Sequence, residues 1–315
     1  MGETERKRVG MRVLIVASFN KGRFAPFIIE QAEVLKKEGC EVEWFGLQGK
    51  GIAGYLRNLS LLKKKINAFH PGVVHAHYGL SGLLANLQSK VPVVVTYHGS
   101  DINEPQVLRY SKMAMRLSAW NVFVSRKTLE IAKPKKNFSL LPCGIDLSSQ
   151  QLIDKSRARE LMHLEMGKKF VLFAGAFDNE VKNAPLAQEA LALLDNDEVE
   201  LLELKGYTRD EVMLLMCAVD AFLMTSITEG SPQVIKEALV CGCPIVSVDV
   251  GDVKERTEGV DGCYLSTSRE AKELAELLQK ALSFNGKTNG REKVIADGLD
   301  NRLVAQRLME IYERI

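Results

Sequence analysis

The sequence has few of the features that mark metal sites, membrane spans or dinucleotide binding. It contains six cysteines in 315 residues, and they form neither a C-x-x-C pair nor a cysteine–histidine cluster with zinc spacing. No apolar run reaches the roughly 18 residues that a bilayer-spanning helix needs. The G-x-G-x-x-G fingerprint of dinucleotide binding is also missing. These absences favour buried, reduced thiols and a cytoplasmic protein.

Acidic metal motifs and nucleic-acid recognition motifs are equally scarce. The only D-x-D is Asp195-Asn196-Asp197, between a helical pattern and a strand-like run, and it is typical of a solvated turn. His75 and His77 have no third ligand at a suitable spacing for a metal. The basic residues come without a recognition motif for nucleic acid. We therefore expect no metal, no cofactor and no nucleic-acid partner.

The charge is unevenly spread along the chain. Residues 1–150 hold 22 Lys and Arg against 11 Asp and Glu, a net charge of +11, whereas residues 151–315 hold 20 against 29, a net charge of −9. The segment Leu59 to Ile66 mixes apolar residues with three lysines, and more lysines lie between 133 and 136. Such a surface is expected to meet an anionic membrane, or else to be the solvated side of a helix that covers its own sheet.

Strand and helix patterns alternate in the first half of the chain. Pro26 to Lys37 carries apolar residues at helical spacing, and Gly39 ends the pattern. Continuous apolar runs predict buried strands at Val13 to Ala17, Val42 to Phe45, Val73 to His75, Val93 to Tyr97 and Asn121 to Val124. Because these runs do not alternate with polar residues, they indicate a parallel sheet covered by helices on both faces.

A second alternation follows a polar linker at Ser148 to Ser156. Its predicted strands are Lys169 to Gly175, Val199 to Leu204, Ala221 to Thr225, Pro244 to Val248 and Gly262 to Leu265. The fold class is therefore α/β, with two tandem Rossmann-like, doubly wound domains. The predicted divisions are a disordered leader at 1–10, an N-terminal domain at 11–150, a C-terminal domain at 151–290 and a final helical region at 291–315. We expect the ligand in the cleft between the domains, at the carboxyl ends of the strands.

The most informative segment is TSITEGSPQVIKEALVCGCPIV, from Thr225 to Val246. A strand runs into the turn Gly230-Ser231-Pro232, and a helix follows. Glycine permits close backbone approach and proline suits the first helical turn, so the helix start is expected to bind phosphate through its N–H groups. Its partial positive charge would hold a diphosphate without a metal.

This segment resembles the E-x7-E element of the family-4 glycosyltransferases, which have the two-Rossmann GT-B fold. Other segments match the family in the expected order: VHAHYG at 74–79, TYHGSD at 96–101, FVS at 123–125 and PCGID at 142–146. The last helix, RLMEIYERI, is similar to the family's final helix, which returns to the N-terminal domain. The resemblance implies transfer of a sugar from a nucleotide diphosphate to an acceptor hydroxyl, with retention of configuration.

The resemblance also implies which residues bind the diphosphate. Lys182 is similar to the family's diphosphate-binding lysine, which follows the first strand of the second domain. The family usually has an arginine directly after the strand glycine, but here Gly175 is followed by Ala176. This departure leaves more of the diphosphate charge to the helix start, unless Lys21 or Arg23 of the first domain substitutes for the arginine.

Other residues are expected around the donor by the same resemblance. Glu237 would accept hydrogen bonds from the ribose hydroxyls, and Glu229 would contact the donor sugar or support the departing phosphate. Gly22 stands where a glycine loop approaches the donor, although the family's usual double glycine is absent. Gly206 would lie near the nucleotide base.

The resemblance places His98 at the reacting centre, where its imidazole would donate a hydrogen bond to a sugar hydroxyl or position a backbone carbonyl. His98 and Glu229 are thus the expected catalytic residues. Lys21, Arg23, His77 and Asp101 are expected on the acceptor side. The acceptor would be a glycan or a lipid-linked molecule, with peripheral contact at the inner membrane face.

Two other functions remain open on the sequence alone. A nucleotide-sugar 2-epimerase would use the same fold and would need no acceptor. A non-catalytic nucleotide-sugar-binding partner of another transferase is kept open by the alanine at position 176.

Overall fold

The computed structural model describes residues 10–147 and 153–315, and these form two compact units. Unit 1 consists of the described residues up to Gly144 together with Asn301–Ile315, and unit 2 is Ile145–Asp300. The sequence-based divisions were at 150/151 and 290/291, so the structure moves them to 144/145 and 300/301. Most of the expected leader and residues 148–152 of the expected linker lie outside the described residues.

Unit 1 contains a six-stranded parallel sheet with the strand order β2-β1-β3-β4-β5-β6. Its strands are β1 (Arg12–Ser18), β2 (Glu41–Leu47), β3 (Val73–His77), β4 (Val93–Tyr97), β5 (Trp120–Phe123) and β6 (Phe138–Leu140). Its helices are α1 (Pro26–Lys37), α2 (Gly51–Leu56), α3 (Leu59–Phe69), α4 (Gly79–Asn86), α5 (Ser100–Asn103), α6 (Pro105–Leu117) and α7 (Arg126–Ala132), with a last helix from the end of the chain.

Unit 2 contains a five-stranded parallel sheet with the strand order β11-β10-β9-β7-β8. Its strands are β7 (Lys169–Phe173), β8 (Val199–Glu203), β9 (Ala221–Met224), β10 (Ile245–Val248) and β11 (Cys263–Ser266). Its helices are α8 (Lys155–Leu161), α9 (Ala184–Ala192), α10 (Arg209–Ala218), α11 (Gln233–Cys241), α12 (Val253–Thr257), α13 (Ala271–Leu282) and α14 (Gly290–Ala296). The final helix, α15 (Asn301–Glu313), belongs to unit 1.

The apolar strands are continuous because both faces of each sheet are covered. In β1, Val13 and Ile15 pack into the core that also holds α1 and α15, whereas Leu14 and Val16 pack into the core on the other face. All four side chains are fully buried. The sheet is therefore the middle layer of a three-layer unit, as the unbroken apolar run predicts. The α/β class with two Rossmann-like units is confirmed.

Two elements differ from the sequence-based expectation. The short edge strand β6 was not predicted, since only three residues form it and its apolar side chains are partly exposed. The expected final helical region at 291–315 is divided between the units: α14 packs on α11 in unit 2, and α15 packs on α1 in unit 1. Gly298, with φ +66°, lies in the turn that separates them.

Candidate functional site

The predicted diphosphate-binding lysine of unit 2 forms an ion pair with a predicted glutamate. Lys182 lies in a 3₁₀ turn, and its Nζ is 2.7 Å from Oε1 of Glu229. Both side chains are about one-fifth exposed, at 19% and 17%. A Cβ at Gly175, just after β7, would lie 2.7 Å from Cγ of Lys182, so glycine makes room for the lysine stem. The structure thus brings two predicted residues, Lys182 and Glu229, into one ion pair beside the start of α11.

Hydrogen bonds between loops hold this pair in register. The Thr225 hydroxyl donates to the carbonyl oxygens of Lys182 and Asn183, each at 2.9 Å. The backbone N–H of Ile227 donates to the carbonyl of the residue before Lys182 at 2.8 Å. The guanidinium of Arg269 donates to the carbonyl of Ile227 at 2.9 Å, which ties down the same loop from β11. Arg269 was missed in the sequence because it lies more than 40 residues from the loop that it holds.

The turn before α11 is anchored by residues that the sequence did not single out. Ser231 Oγ donates to Oδ2 of Asp252 at 2.8 Å, and the Asp252 carboxylate is buried. Gly251 has φ +55°, and a Cβ there would lie 2.5 Å from the carbonyl oxygen of Gly230. The backbone of the turn therefore packs directly on the loop after β10. That loop has the sequence VGDV, and its glycine followed by aspartate is the local sequence feature that could have marked it as a support of the turn.

Helix α11 begins directly after the turn Gly230-Ser231-Pro232. Pro232 is the N-cap residue, with φ −66° and ψ 121°, and the first helical residue is Gln233. Proline has no side-chain acceptor, so the N-cap residue does not satisfy the first N–H groups of the helix. The N-terminus of this nine-residue helix is the kind of place where an anion is stabilised.

Glu237 lies about one turn into α11, and its side chain is 4% exposed. Its Oε1 is 2.8 Å from Nη1 of Arg209, the first residue of α10. Burial raises the pKa of Glu237, and the charges of Arg209 and Lys236 oppose that rise. Arg209 was missed by the sequence reasoning, although the capping box of Thr208 and Glu211 marks the helix start on which it stands.

Of the remaining donor-side positions of unit 2, Gly206 is exposed and Ala176 is partly exposed. Gly206 follows β8 with φ +83°, and nothing lies within 4 Å of where its Cβ would be. Ala176 stands where the resemblance places an arginine, and Lys205 close by forms an exposed ion pair with Asp178 at 2.7 Å. The D-x-D at 195–197 is an exposed turn between α9 and β8. Among residues 10–147 and 153–315, no cluster of three or more acidic, His or Cys side chains suits a metal.

In unit 1, His98 follows β4 and contacts the histidine at the end of β3. Nε2 of His98 is 3.0 Å from Nδ1 of His77, and the two rings are stacked with centroids 5.3 Å apart. The rings of Phe27 and Tyr78 lie 4.9 Å and 4.7 Å from the ring of His98. Aromatic neighbours thus fix the imidazole plane, and the His98 ring is only partly buried.

His75 extends this contact into the core. Its Nδ1 is 2.6 Å from the hydroxyl of Tyr312 on α15, and its Nε2 is 2.7 Å from Oγ1 of Thr96. Burial lowers the pKa of His75 to about 3. Burial and the neighbouring His75 and His98 also lower the pKa of His77. Both rings are therefore neutral at physiological pH, and His75 lies inside unit 1 against Thr96 and Tyr312.

Asp101 lies inside unit 1, where it organises backbone. Its carboxylate is 3% exposed and accepts N–H groups from Gly79 at 2.9 Å and from His98 and Gly99 at 3.0 Å each. Burial raises the pKa of Asp101 to about 6, and these N–H donors oppose that rise. The predicted acceptor-side aspartate thus supports the loop that carries His98.

The loop after β1 carries the other predicted residues of unit 1. Gly22, with φ +69°, closes a turn by donating its N–H to the carbonyl of Phe19 at 3.0 Å. Lys21 and Arg23 on either side are exposed. Asn20 of the same loop exchanges two hydrogen bonds with the backbone of Gly49, at 2.9 and 2.8 Å, which fastens the loop to the end of β2.

A cavity of about 180 Å³ opens at the carboxyl ends of β1, β3 and β4. Its lining is hydroxyl-rich and acidic, and it includes Ser18, Tyr55, Tyr78, Ser100, Asp101 and Glu104. Such groups hydrogen-bond to hydroxyl-bearing ligands, and tyrosine faces pack against sugar rings. No Lys or Arg belongs to this lining.

Comparison with known proteins identifies the family. Residues 171–283 match the family model "Glycosyl transferases group 1", and residues 8–149 match "Glycosyltransferase Family 4". TuaC of Bacillus subtilis, named for a glycosyltransferase role in teichuronic acid biosynthesis, is 26% identical over 239 residues. That match covers 67% of this chain but only 61% of TuaC.

Solved structures show the same fold. The chain superposes on sucrose-phosphate synthase from Thermosynechococcus elongatus with a TM-score of 0.79 at 17% identity, covering 98% of this chain and 99% of that one. It superposes on Anabaena HepE, solved in complex with UDP, with a TM-score of 0.74 at 17% identity, covering 97% and 100%. None of the helices in the described part of the chain has both the length and the apolar character to cross a bilayer. The chain belongs to the group 1 glycosyltransferases of family 4, a family of transferase enzymes, and has their GT-B fold.

Proposed function

We propose that this protein is a retaining glycosyltransferase that moves a sugar from a nucleotide diphosphate sugar to an acceptor hydroxyl in glycoconjugate synthesis. The observation that carries the proposal is the Lys182–Glu229 pair at 2.7 Å, beside the start of α11. A cation next to a helix N-terminus is suited to a dianionic leaving group. Retention of configuration is proposed from the resemblance to the family alone.

The diphosphate is proposed to be held without a metal. An incoming phosphate competes with Glu229 for the ammonium of Lys182, and the N–H groups at the start of α11 stabilise its other oxygens. Once Lys182 turns to phosphate, the Glu229 carboxylate is released to accept a hydrogen bond from a sugar hydroxyl. In this proposal Lys182 binds the diphosphate and Glu229 binds the sugar in the same reaction.

The nucleoside is proposed to bind further along α11. A buried carboxylate at Glu237 suits a vicinal diol, because its two oxygens accept from two hydroxyl groups. Burial raises the pKa of Glu237, and the guanidinium of its partner Arg209, at 2.8 Å, opposes that rise. HepE, which shares the fold, was solved with UDP and with UDP-glucose, which makes uridine nucleotides the first donors to test.

Unit 1 is proposed to supply the acceptor side and His98. The hydroxyl-rich, acidic lining of its cavity favours an uncharged sugar hydroxyl over a free phosphate, since no Lys or Arg belongs to that lining. His98 would donate a hydrogen bond to the transferred sugar or position its loop carbonyl against the anomeric carbon.

The cell location and the lipid contact are also proposals. We place the protein in the cytoplasm, with peripheral contact at the inner membrane face. The supporting surface is α3, where Lys63 and Lys64 are exposed and Leu61 is 57% exposed, while Leu62 and Ile66 are buried in the core. Pelleting with liposomes should require acidic lipid and fall with added salt. Equal pelleting with neutral liposomes, or none at all, would remove this part of the proposal.

A donor screen tests the proposed function. Nucleotide diphosphate sugars are added one at a time, thermal unfolding is followed with and without EDTA, and the products are analysed for donor alone and for donor with glycan acceptors. One donor should raise the Tm equally with and without chelator, and the sugar should leave only when an acceptor is present. Conversion of the sugar with donor alone would instead indicate an epimerase. Binding without any turnover across the acceptor panel would indicate a non-catalytic partner.

A further inference from the structure

The histidine at the end of β3 is placed to decide where the proton of His98 lies. His77 is 1% exposed, and its Nδ1 lies 3.0 Å from Nε2 of His98. Each neutral imidazole carries one N–H, so one ring must donate in this contact and the other must accept. The two assignments differ in which nitrogen of His98 bears hydrogen, and therefore in what His98 offers to a sugar.

The other nitrogen of His77 decides between the two assignments. Nε2 of His77 is buried, and it has no hydrogen-bond partner among the residues that the structure describes. If the proton were on that nitrogen, a buried N–H would be left without an acceptor, which is rarer and more costly than a buried lone pair without a donor. The proton therefore lies on Nδ1 of His77, and His77 is the donor to His98.

The neutral state of His77 is fixed by its surroundings. The ring of His75 stacks on it with centroids 4.5 Å apart. Both nitrogens of His75 have partners of their own, since Nδ1 lies 2.6 Å from the hydroxyl of Tyr312 and Nε2 lies 2.7 Å from Oγ1 of Thr96. Burial together with the neighbouring imidazoles lowers the pKa of His77, so a second proton is disfavoured.

We infer that His77 is a positioning residue that holds His98 in the tautomer protonated at Nδ1, with Nε2 occupied as an acceptor. The Nε2 of His98 is then unavailable as a base, and its only N–H is on Nδ1, the ring edge that lies 3.9 Å from Sγ of Cys143. His98 thus acts through an N–H or through its backbone and takes no proton from the acceptor at Nε2. This inference rests on the proposed function only where it concerns turnover.

The tautomer is directly measurable, because the chain has five histidines. The wild-type protein is labelled with ¹⁵N-histidine, and long-range ¹H–¹⁵N spectra distinguish rings protonated at Nδ1 from rings protonated at Nε2. A His98→Gln spectrum assigns the ring of His98. His98 should be protonated at Nδ1 alone at neutral pH. Protonation at Nε2, or at both nitrogens, would overturn the inference.

Matched variants separate donation from packing. His77→Leu removes the donor and should move His98 toward the Nε2–H form that free neutral histidine favours. His77→Asn returns an N–H near the position of Nδ1 and should restore the Nδ1–H signature. Tyr312→Phe alters the same buried chain one ring further on and should leave His98 unchanged. An unchanged His98 tautomer in His77→Leu would overturn the inference, even if that variant were less stable.

Turnover gives the second readout. With the donor found in the screen, His77→Leu should lower kcat about 10-fold and leave the donor KM within about twofold, and His77→Asn should recover most of the loss. A rise in KM alone would contradict a role through His98. If no donor turns over, the proposed function fails while the spectra still decide the tautomer.

Discussion

The polar sites of the two units consist of different kinds of side chain. In unit 1, His75 and His77 are buried and neutral, and Asp101, whose carboxylate accepts the N–H of His98, is ionised at neutral pH although burial raises its pKa to about 6. In unit 2, each acidic group of the site faces a cation: Glu229 faces Lys182, and Glu237 faces Arg209. A site of neutral donors and acceptors suits sugar hydroxyls, whereas a site of paired charges suits a diphosphate that replaces one partner. The contrast assigns chemistry to each unit independently of how the units sit together.

The largest effect is expected where the paired charges meet phosphate. Lys182→Met removes the ammonium that is proposed to hold the leaving diphosphate, and it should lower kcat/KM by about 100- to 1,000-fold. Steady-state kinetics with the preferred donor measure this loss. Lys168→Met is the matched control, because Lys168 forms exposed ion pairs with Glu165 and Glu200 at the start of β7. An equal loss of kcat/KM in both variants would contradict the proposal that Lys182 binds the diphosphate.

Because the Asp101 carboxylate is buried in unit 1, the free energy of unfolding should depend on pH. The pKa of Asp101 is raised from 3.8 to about 6, so its contribution to folding is fully present below about pH 4 and is lost as pH rises through 6. The difference corresponds to about 3 kcal/mol. Urea unfolding of wild type and Asp101→Asn at pH 4 and pH 7 should show wild type losing about that much relative to the variant. A pH-independent difference would contradict the account of Asp101.

The turn before α11 should be sensitive to one added methyl group. Gly251→Ala places a Cβ 2.5 Å from the Gly230 carbonyl oxygen at a positive φ. Gly259→Ala is the control, since Gly259 has φ +75° and nothing lies within 4 Å of its Cβ position. Both variants carry the left-handed cost of about 1–2 kcal/mol, so the additional loss in Gly251→Ala, about 2 kcal/mol, reports the contact. Denaturant unfolding measures the two losses of stability. Equal losses would show that the turn adjusts to the added Cβ without further cost.

The smallest effect is expected at the partly exposed ion pair of α10 and α11. Arg209→Met leaves the Glu237 carboxylate buried without that partner and should destabilise the protein by about 1 kcal/mol. Adding Glu237→Gln removes the unpaired charge and should return most of that stability, while nucleotide affinity stays low in the double variant. Additive losses of stability in the double variant would mean that the pair is not coupled, which would weaken the picture of paired charges in unit 2.

Local sequence determined what could be predicted of the fold. Helix α1 was predicted at Pro26 to Lys37 and β4 at Val93 to Tyr97, with the bounds that the structure has, because periodicity and flanking breakers agree there. The edge strand β6 escaped prediction, since its three residues carry no pattern of their own. The division between α14 and α15 escaped as well, because neighbouring helical patterns do not reveal which unit each one packs on.

The candidate site was predictable where a motif carries it. The E-x7-E element and Lys182 were expected together, and the structure places Lys182 against Glu229. Their supports were not predictable, since Arg209, Asp252 and Arg269 reach them from distant segments and share no spacing with them. Such partners are set by tertiary packing, which a single sequence does not show. Whether these residues bind donor and acceptor stays a prediction.

One measurement tests the central claim most directly. Isothermal titration compares a nucleoside diphosphate with its monophosphate, using wild type and Lys182→Met in the presence of EDTA. If Lys182 and the start of α11 bind the diphosphate without a metal, wild type should prefer the diphosphate by about 10-fold or more, and the variant should lose most of that preference. Equal affinity of wild type for the two nucleotides, or a preference that disappears with EDTA, would contradict the account.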